Sequence, residues 1–200
     1  MIVAVRHYFN TLAPDWESKA LPAPDLRERL LEFGVRRGDR VLDLGAGTGR
    51  LSRPLADLVG SEGRILALDL SERMLIEGRG RCDNRFYPLC ADGCRPPLAA
   101  GSVDKVICFS TYPHLHSPAA ALCEMRRVLR PGGKLLIWHA CCSRRLNDFH
   151  SGLEQEVCGD RLPPAAELAV LVEKSGFRIL RTVERPQLYW IEGAVPPQNG

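Results

Sequence analysis

Short apolar runs with β-forming residues alternate with helix-like segments through the middle of the chain. The runs are RVLDL (40–44), RILALDL (64–70), RFYPLC (85–90), VDKVICF (103–109) and KLLIWHA (134–140). Helix-like segments lie at 50–59, 71–78 and 117–130. Strands separated by helices form βαβ units, and strands that are apolar almost throughout are buried on both faces. The pattern therefore predicts an α/β fold with a doubly wound parallel sheet.

The last part of the chain has a different pattern. The segment 162–177 is typical of a helix that ends at Gly176, and 178–183 and 186–191 follow as two β-like runs with a turn near 184–186. This order predicts a helix followed by an antiparallel strand pair at the sheet edge. Helix starts are indicated by Ser71, Ser117 and Ser143 as N-caps and by Pro118 at a first helical position.

Composition and charge indicate one ordinary globular domain over residues 1–200. The chain has 45% hydrophobic and 26% charged residues and a net charge of +3. Its Lys and Arg residues are scattered, so a nucleic-acid partner is not indicated. The apolar start ends at Val5, too short for a membrane span or a signal peptide, and we expect a cytoplasmic protein without membrane contact. The eight cysteines are irregularly spaced without a CxxC pair, which favours reduced thiols.

A glycine-rich turn follows the first predicted strand. In VLDLGAGTGRLS (41–52), Gly45, Gly47 and Gly49 lie between a strand and a helix. Glycines permit positive φ and close approach of a ligand, and amides at a helix start favour a carboxylate or phosphate. A dinucleotide-binding turn would have its third glycine at position 50, where this chain has Arg50.

Two acidic residues follow the next two strands. Asp69 ends the second run and Asp92 follows the third. The carboxyl ends of parallel strands meet at one edge, and a carboxylate there can accept hydrogen bonds from ribose hydroxyls. The turn and both acids are thus predicted to face one crevice. The alternative is that they shape turns in a fold without a ligand.

The ordered series VLDLGAGTGRLS, ALDLSERML, ADGCRPPLAAGSVDKVICFS and RVLRPGGKLLIWHA resembles the class I S-adenosylmethionine-dependent methyltransferases. It is similar to the group that includes the ubiquinone and menaquinone biosynthesis methyltransferases, over about residues 35 to 140. The resemblance implies a Rossmann-like seven-stranded sheet, mostly parallel with an antiparallel edge strand. It also implies S-adenosylmethionine as cofactor and in-line methyl transfer to a small molecule.

The resemblance assigns cofactor contacts to Asp43, Gly45, Ala46, Gly47, Gly49, Asp69, Leu70, Met74, Asp92, Gly93 and Ser110. The glycine turn would wrap the methionine part, with Asp43 supporting it and the amino group. Asp69 would hold the ribose and Asp92 the adenine amino edge. Tyr8 and Phe9 resemble aromatic residues of an N-terminal cover segment (1–24); packing on the core is the alternative.

The acceptor side is predicted after the fourth strand, in STYPHLH (110–116). The resemblance places His114 near the substrate as a catalytic residue, and Tyr8, Tyr112 and His116 are predicted to bind substrate. The order Ser-Thr-Tyr-Pro differs from the signature of enzymes that methylate adenine or glutamine amides. This disfavours an RNA or protein amide substrate. The alternative for each histidine is a loop position without a role.

The stretch WHACCSRRLNDFH (138–150) follows at the same sheet edge. Leu146, Phe149 and His150 share a helical face, which predicts that His150 turns inward beside His139. With His114 they form a predicted catalytic set, covered by residues 141–164. One alternative is a metal site of His139, His150 and a cysteine; another is purely structural histidines, with His139 buried and satisfied.

Other functions stay open at this point. A non-catalytic S-adenosylmethionine-binding module, linked to a metal through the histidines and cysteines, is the main alternative. RNA modification and methylation of a metalloid at the soft Cys141–Cys142 pair are weaker ones.

Overall fold

The computed structural model describes residues 2–23, 25–80, 85–153, 157 and 159–197. Its strands are β1 (Arg40–Leu44), β2 (Arg64–Asp69), β3 (Phe86–Cys90), β4 (Val103–Phe109), β5 (Leu129–His139), β6 (Arg178–Arg185) and β7 (Leu188–Ala194). Its α-helices are α1 (Ile2–Leu12), α2 (Trp16–Lys19), α3 (Leu26–Phe33), α4 (Ser52–Val59), α5 (Glu72–Arg79), α6 (Pro118–Val128), α7 (Ser143–Ser151) and α8 (Ala165–Lys174). Single 3-10 turns span Ala13–Asp15 and Tyr112–His114.

All seven strands form one sheet in the order β3-β2-β1-β4-β5-β7-β6. Strands β1 to β5 pair in parallel, while β7 runs antiparallel to both β5 and β6. The predicted Rossmann-like sheet and its antiparallel hairpin at the edge are confirmed. Strand order reverses between β1 and β4, and in open α/β sheets ligands bind beyond the carboxyl ends of the strands at such a point.

The central strands of the sheet are buried on both faces because their side chains alternate between two apolar clusters. Val41 packs with α3 and α4 on one face, and its neighbour Leu42 packs with α6 and α8 on the other. Strand β4 shows the same arrangement, since Ile107 and Cys108 belong to opposite clusters. Apolar runs without polar alternation are therefore what this architecture requires.

Four elements differ from the sequence-based expectation. Helices α1, α2 and α3 were not predicted, and β5 begins at Leu129, inside the segment 117–130 that was predicted as a helix. Leu129 pairs with Val103, and the ladder then shifts register before Lys105 pairs with Lys134. The glycines at 132 and 133 thus lie in an irregular start of the strand.

The expected helix starts are correct in part. Ser71 caps α5, because its Oγ accepts the Met74 amide at 3.1 Å, and Ser117 precedes Pro118 at the start of α6 without a side-chain capping bond. The expectation for Ser143 is wrong: Cys142 is the N-cap. The Ser143 amide and hydroxyl instead donate to Glu184 Oε1 at 2.8 and 2.6 Å.

Helix α7 buries a narrower face than expected. Ser143, Leu146 and His150 are buried, whereas Phe149 is 42% exposed. Phe149 lies about 60° around the helix from Leu146 and about 100° from His150, outside the stripe that these two residues form with Ser143. The inward direction of His150 is therefore correct and that of Phe149 is wrong.

The described cysteines, Cys90, Cys94, Cys108, Cys123, Cys141 and Cys142, are free thiols. Cys82 and Cys158 lie outside the described residues. Among the described helices none has the length and apolar character needed to cross a bilayer.

Candidate cofactor and acceptor site

A cavity of about 1000 Å³, its open mouth included, lies at the strand-order reversal. Its walls come from the segments that follow β1, β2, β3 and β4 and from the N-terminal helices. The lining includes these sequence-predicted residues: Asp43, Gly45, Ala46, Gly47, Asp69, Leu70, Met74, Asp92, Gly93, Ser110, His114 and His116. The other sequence-predicted residues lie outside the lining: Gly49, Tyr8, Tyr112, His139 and His150.

The glycine turn after β1 depends on residues without a side chain. Gly45 and Gly47 have φ values of +78° and +54°. A Cβ on Gly45 would lie 2.0 Å from Thr111 Oγ1, so the turn and the segment after β4 are in direct contact. The amides of Gly45 and Ala46 both donate to the Leu68 carbonyl, at 2.7 and 2.9 Å. The turn is thereby fixed against β2.

Asp69, at the end of β2, connects this turn to helix α5. Its Oδ2 accepts the Gly47 amide and its Oδ1 accepts the Ser71 amide, each at 2.8 Å. Burial raises the pKa of Asp69, opposed by these two amides and by nearby His114. Each carboxylate oxygen retains a second lone pair, so the group could still accept two hydroxyl donors from a ligand in the cavity.

Asp43 lies beneath the turn with 1% of its surface exposed. Burial raises its pKa to about 7 and neighbouring Asp69 adds to the effect, while the Ser52 hydroxyl, which donates at 3.1 Å, opposes it. A cationic ligand group in the cavity would favour the ionised form. The site is therefore suited to an ammonium group.

Asp92 and His116 meet at the far end of the cavity. Asp92 Oδ1 accepts the Cys94 amide at 2.9 Å, and Oδ2 lies 2.9 Å from His116 Nε2. Partial burial alone would raise the pKa of Asp92, but the Cys94 amide and His116 together bring it below its usual value.

One trio within the described part of the chain has metal-ligand spacing: potential ligand atoms of Asp92, Cys94 and His116 lie within 4.8 Å of one another. Burial raises the pKa of Cys94 to about 11, which disfavours the thiolate that a metal requires. His139, His150 and a cysteine do not form such a group among the described residues.

On the acceptor side, His114 and His150 approach one another. Their ring centroids are 5.0 Å apart, and the edge of Phe9 contacts His114 at 5.1 Å. Both histidines also contact Asp160, which sequence reasoning missed. No local signal identifies Asp160, because it lies 46 residues from His114 in the connection before α8.

His139 and Tyr112 are buried polar residues outside the cavity wall. Neither ring nitrogen of His139 nor the Tyr112 hydroxyl has a hydrogen-bond partner among the described residues. Burial, with smaller contributions from His114 and His150, lowers the pKa of His139 to about 3. The alternative of a satisfied core histidine is wrong for His139, whose neutral ring packs edge-on against Tyr189.

Ser110, at the end of β4, has a strained backbone in the cavity wall. Its φ is +53°, and its amide donates to the Trp138 carbonyl at 2.9 Å. A left-handed conformation costs a non-glycine residue roughly 1–2 kcal/mol, and such strain is concentrated at functional sites.

The N-terminal segment lies over the cavity. Ile2, Val5, Phe9 and Trp16 contribute to the lining. Asn10 Oδ1 accepts the Ser71 hydroxyl at 2.6 Å, which ties α1 to the cap of α5. Tyr8 is buried outside the lining, so Phe9 is the neighbouring ring that reaches the cavity.

The sheet order, the glycine turn and the acid after β2 are typical of one class of protein. In this class, a Rossmann-like domain has a nucleoside-type pocket where the strand order reverses. Residues 42–137 match the family described as "Methyltransferase domain". By this match the stretch resembles class I S-adenosylmethionine-dependent methyltransferase domains, and S-adenosylmethionine is the cofactor that the resemblance indicates.

The chain is similar to curated and solved proteins of this kind. A ubiquinone/menaquinone biosynthesis C-methyltransferase of Cupriavidus necator is 37% identical over 111 residues, which are 54% of this chain and 46% of the relative. The chain therefore spans about half the length of that relative. A methyltransferase structure from Aquifex aeolicus has a TM-score of 0.72 at 24% identity, covering 86% of this chain and 89% of its own. The [4+2]-cyclase SpnF has a TM-score of 0.69 at 19% identity, with 86% and 80% covered.

Proposed function

We propose that this protein transfers a methyl group from S-adenosylmethionine to a small-molecule acceptor. The proposal depends chiefly on one observation: the glycine turn, Asp69 and Asp92 face a single cavity whose acceptor side carries His114. The relatives' printed activity, methylation of a carbon in ubiquinone and menaquinone biosynthesis, supports a small ring compound as acceptor.

The cavity residues match the parts of this cofactor one by one. Asp43 would hold the ammonium group, Asp69 the ribose hydroxyls, and Asp92 the adenine amino group. When bound, S-adenosylmethionine supplies a methyl group already activated on a sulfonium. The protein then contributes mainly alignment, which can lower the barrier by up to roughly 7–11 kcal/mol.

The cover formed by α1 supports a small acceptor. Ile2, Val5 and Phe9 line the cavity with apolar surface, and the Phe9 ring packs against His114. Apolar walls with a few directed polar groups are typical of small-molecule pockets.

The first test is equilibrium binding of S-adenosylmethionine to the wild type and to Asp69→Asn and Gly47→Ala. We expect roughly 10- to 100-fold weaker binding by Asp69→Asn, because the variant loses a charged acceptor for the ribose. Gly47→Ala should also weaken binding, since alanine is strained at φ +54°. Asp57→Asn, on the exposed side of α4, is the matched control. Unchanged affinity in both site variants would contradict the site assignment.

Binding alone does not establish methyl transfer, because the similar fold of SpnF belongs to a protein named a cyclase. The second test therefore offers methyl-labelled S-adenosylmethionine with a cell extract and follows the label. We expect S-adenosylhomocysteine together with label in the low-mass fraction. Label in RNA or protein would contradict a small acceptor, and tight binding without turnover would indicate a binding module.

A further inference from the structure

Asp160 holds both histidines of the acceptor side. His114 follows β4 in a 3-10 turn, His150 lies near the end of α7, and Asp160 lies in the connection between α7 and α8. His114 Nδ1 is 2.5 Å from the Asp160 carboxylate, and His150 Nδ1 is 2.9 Å from the Asp160 backbone carbonyl. One residue thus fixes two imidazole rings whose centroids are 5.0 Å apart.

These contacts determine which ring nitrogens carry protons. A carbonyl oxygen only accepts, so Nδ1 of His150 must be the N–H. An ionised Asp160 also only accepts, so Nδ1 of His114 carries the proton and Nε2 has the free lone pair. His114 lines the cavity, whereas His150 does not. Nε2 of His114 is therefore the basic nitrogen available to a bound molecule.

Ionisable groups from several strands and connections surround His114. Asp69, His139 and His150 face His114 among the described residues, and α1 adds only the apolar ring of Phe9. Burial lowers the pKa of both His139 and His150, so these rings are neutral near pH 7. Asp160 is the acid in direct contact with the His114 ring.

We propose that Asp160 is a positioning residue that holds His114 with Nε2 as proton acceptor, and that the methyl acceptor is a hydroxylated small molecule that gives its hydroxyl proton to this nitrogen. The proposal rests on the methyltransferase function proposed above and specifies its acceptor. An acceptor that needs no deprotonation would leave this arrangement without a use.

The step balances in atoms and charge. The acceptor oxygen forms a bond to the methyl carbon as the carbon–sulfur bond breaks, and the electron pair of that bond stays on sulfur as a neutral thioether. The hydroxyl proton moves to His114 Nε2. The resulting imidazolium carries the positive charge that left the sulfonium, is stabilised by the Asp160 carboxylate, and later releases its proton to water.

The first experiment reads the proton position without any acceptor. Protein labelled with 15N-histidine and saturated with S-adenosylhomocysteine is studied by NMR, and the His114 signals are assigned by their loss in His114→Gln. We expect a protonated Nδ1 and a bare Nε2 in the wild type and a shift toward protonated Nε2 in Asp160→Ala. Asp148→Ala removes an exposed acid from α7 and should leave the signals unchanged. Asp160→Asn, of nearly the same shape, replaces the alanine variant if that one does not fold.

The second experiment uses 4-nitrocatechol as a hydroxylated probe, whose anion absorbs at longer wavelength than its neutral form. At a pH where the free probe is neutral, binding to the complex with S-adenosylhomocysteine should produce the anion spectrum. The shift should disappear in His114→Gln and weaken several-fold in Asp160→Ala. Absence of binding, or binding without a shift, overturns the hydroxylated-acceptor assignment.

Affinity for S-adenosylmethionine separates the two proposals. We expect Asp160→Ala to bind it as the wild type does. A wild type that binds none refutes the proposed function itself. Two results would refute only the role of Asp160 while cofactor binding stays normal. One is a protonated Nε2 on wild-type His114, and the other is unaltered NMR signals in both Asp160 variants.

Discussion

Gly45 shows how one residue can join the cofactor turn to the acceptor segment. Its φ of +78° is unfavourable for any side chain, and an added Cβ would lie 2.0 Å from Thr111 Oγ1. Gly34 at the end of α3 has a similar φ of +86°, but nothing lies within 4 Å of its added Cβ. These two glycines therefore differ mainly in the contact with Thr111.

We expect Gly34→Ala to lower the free energy of unfolding by about 1–2 kcal/mol, the cost of a left-handed alanine. Gly45→Ala should cost clearly more, because Thr111 must also move, and its Oγ1 is held by the Phe109 carbonyl at 2.9 Å. Urea denaturation of both variants measures the difference. Equal losses in the free energy of unfolding would mean that Thr111 can move at no cost, contrary to the close packing observed.

Most of the residues predicted to contact the cofactor line the cavity, whereas His139 and His150, predicted for the acceptor side, do not. Gly45 and Gly47 are indicated by sequence because a sharp turn between strand and helix has a local requirement. Asp160 has no such signal, since its contact with His114 depends on how α7 and its following connection return over the sheet. His139 was predicted at the end of the fifth strand, where it lies, but it packs edge-on against Tyr189 outside the cavity lining, a contact that the local sequence does not specify.

At the scale of elements, helix α1 is held over the cavity by few contacts. Asn10 Oδ1 accepts both the Ser71 hydroxyl and, at 3.3 Å, the Arg73 amide. Arg6 and Glu72 form an exposed ion pair beside them, and pairs of that kind contribute little. Asn10 is thus the main polar attachment between α1 and α5.

We expect Asn10→Ala to weaken S-adenosylmethionine binding several-fold through faster dissociation, since an intramolecular hydrogen bond is worth about 0.5–1.5 kcal/mol. Stopped-flow displacement measures the rate. Thr11→Ala is the control, because its hydroxyl donates only to the His7 carbonyl within the same helix. If both variants release the cofactor at the wild-type rate, α1 does not retain it.

The accuracy of the element predictions follows the strength of the local pattern. Strands β1 and β4 have the predicted bounds, because each is an apolar run between polar residues. Helix α1 was missed because only Val5 and Tyr8 of its residues are buried, and its position depends on tertiary contacts such as that of Asn10. A helix with few buried residues has only a weak apolar pattern in the sequence, so it is difficult to predict.

At the scale of the whole molecule, the fold buries an acid, Asp43, under the glycine turn and a base, His139, at the end of β5. Asp43 retains its proton up to about pH 7 in the folded protein, whereas an unfolded carboxyl loses it near pH 4. Between these values the folded state binds more protons, so this residue makes stability fall as the pH rises.

His139 stays neutral down to about pH 3, whereas an unfolded imidazole is protonated below about 6.5. In that window the unfolded state binds more protons, so His139 makes stability rise with pH.

These two dependences offset one another between about pH 4 and 6.5, and single variants should separate them. Relative to the wild type, Asp43→Asn should gain stability as the pH rises from about 4 to 7, and His139→Phe should lose relative stability from about 4 to 6.5. Urea unfolding at closely spaced pH values gives both difference curves, with the surface variant Asp57→Asn measured alongside. The pKa of Asp69 is raised like that of Asp43, and the pKa of His150 is lowered like that of His139. Both residues are present in every protein compared, so their contributions to stability largely cancel in the difference curves. Difference curves of the same sign for Asp43→Asn and His139→Phe would contradict the burial of an acid under the glycine turn and of a neutral imidazole behind the acceptor side.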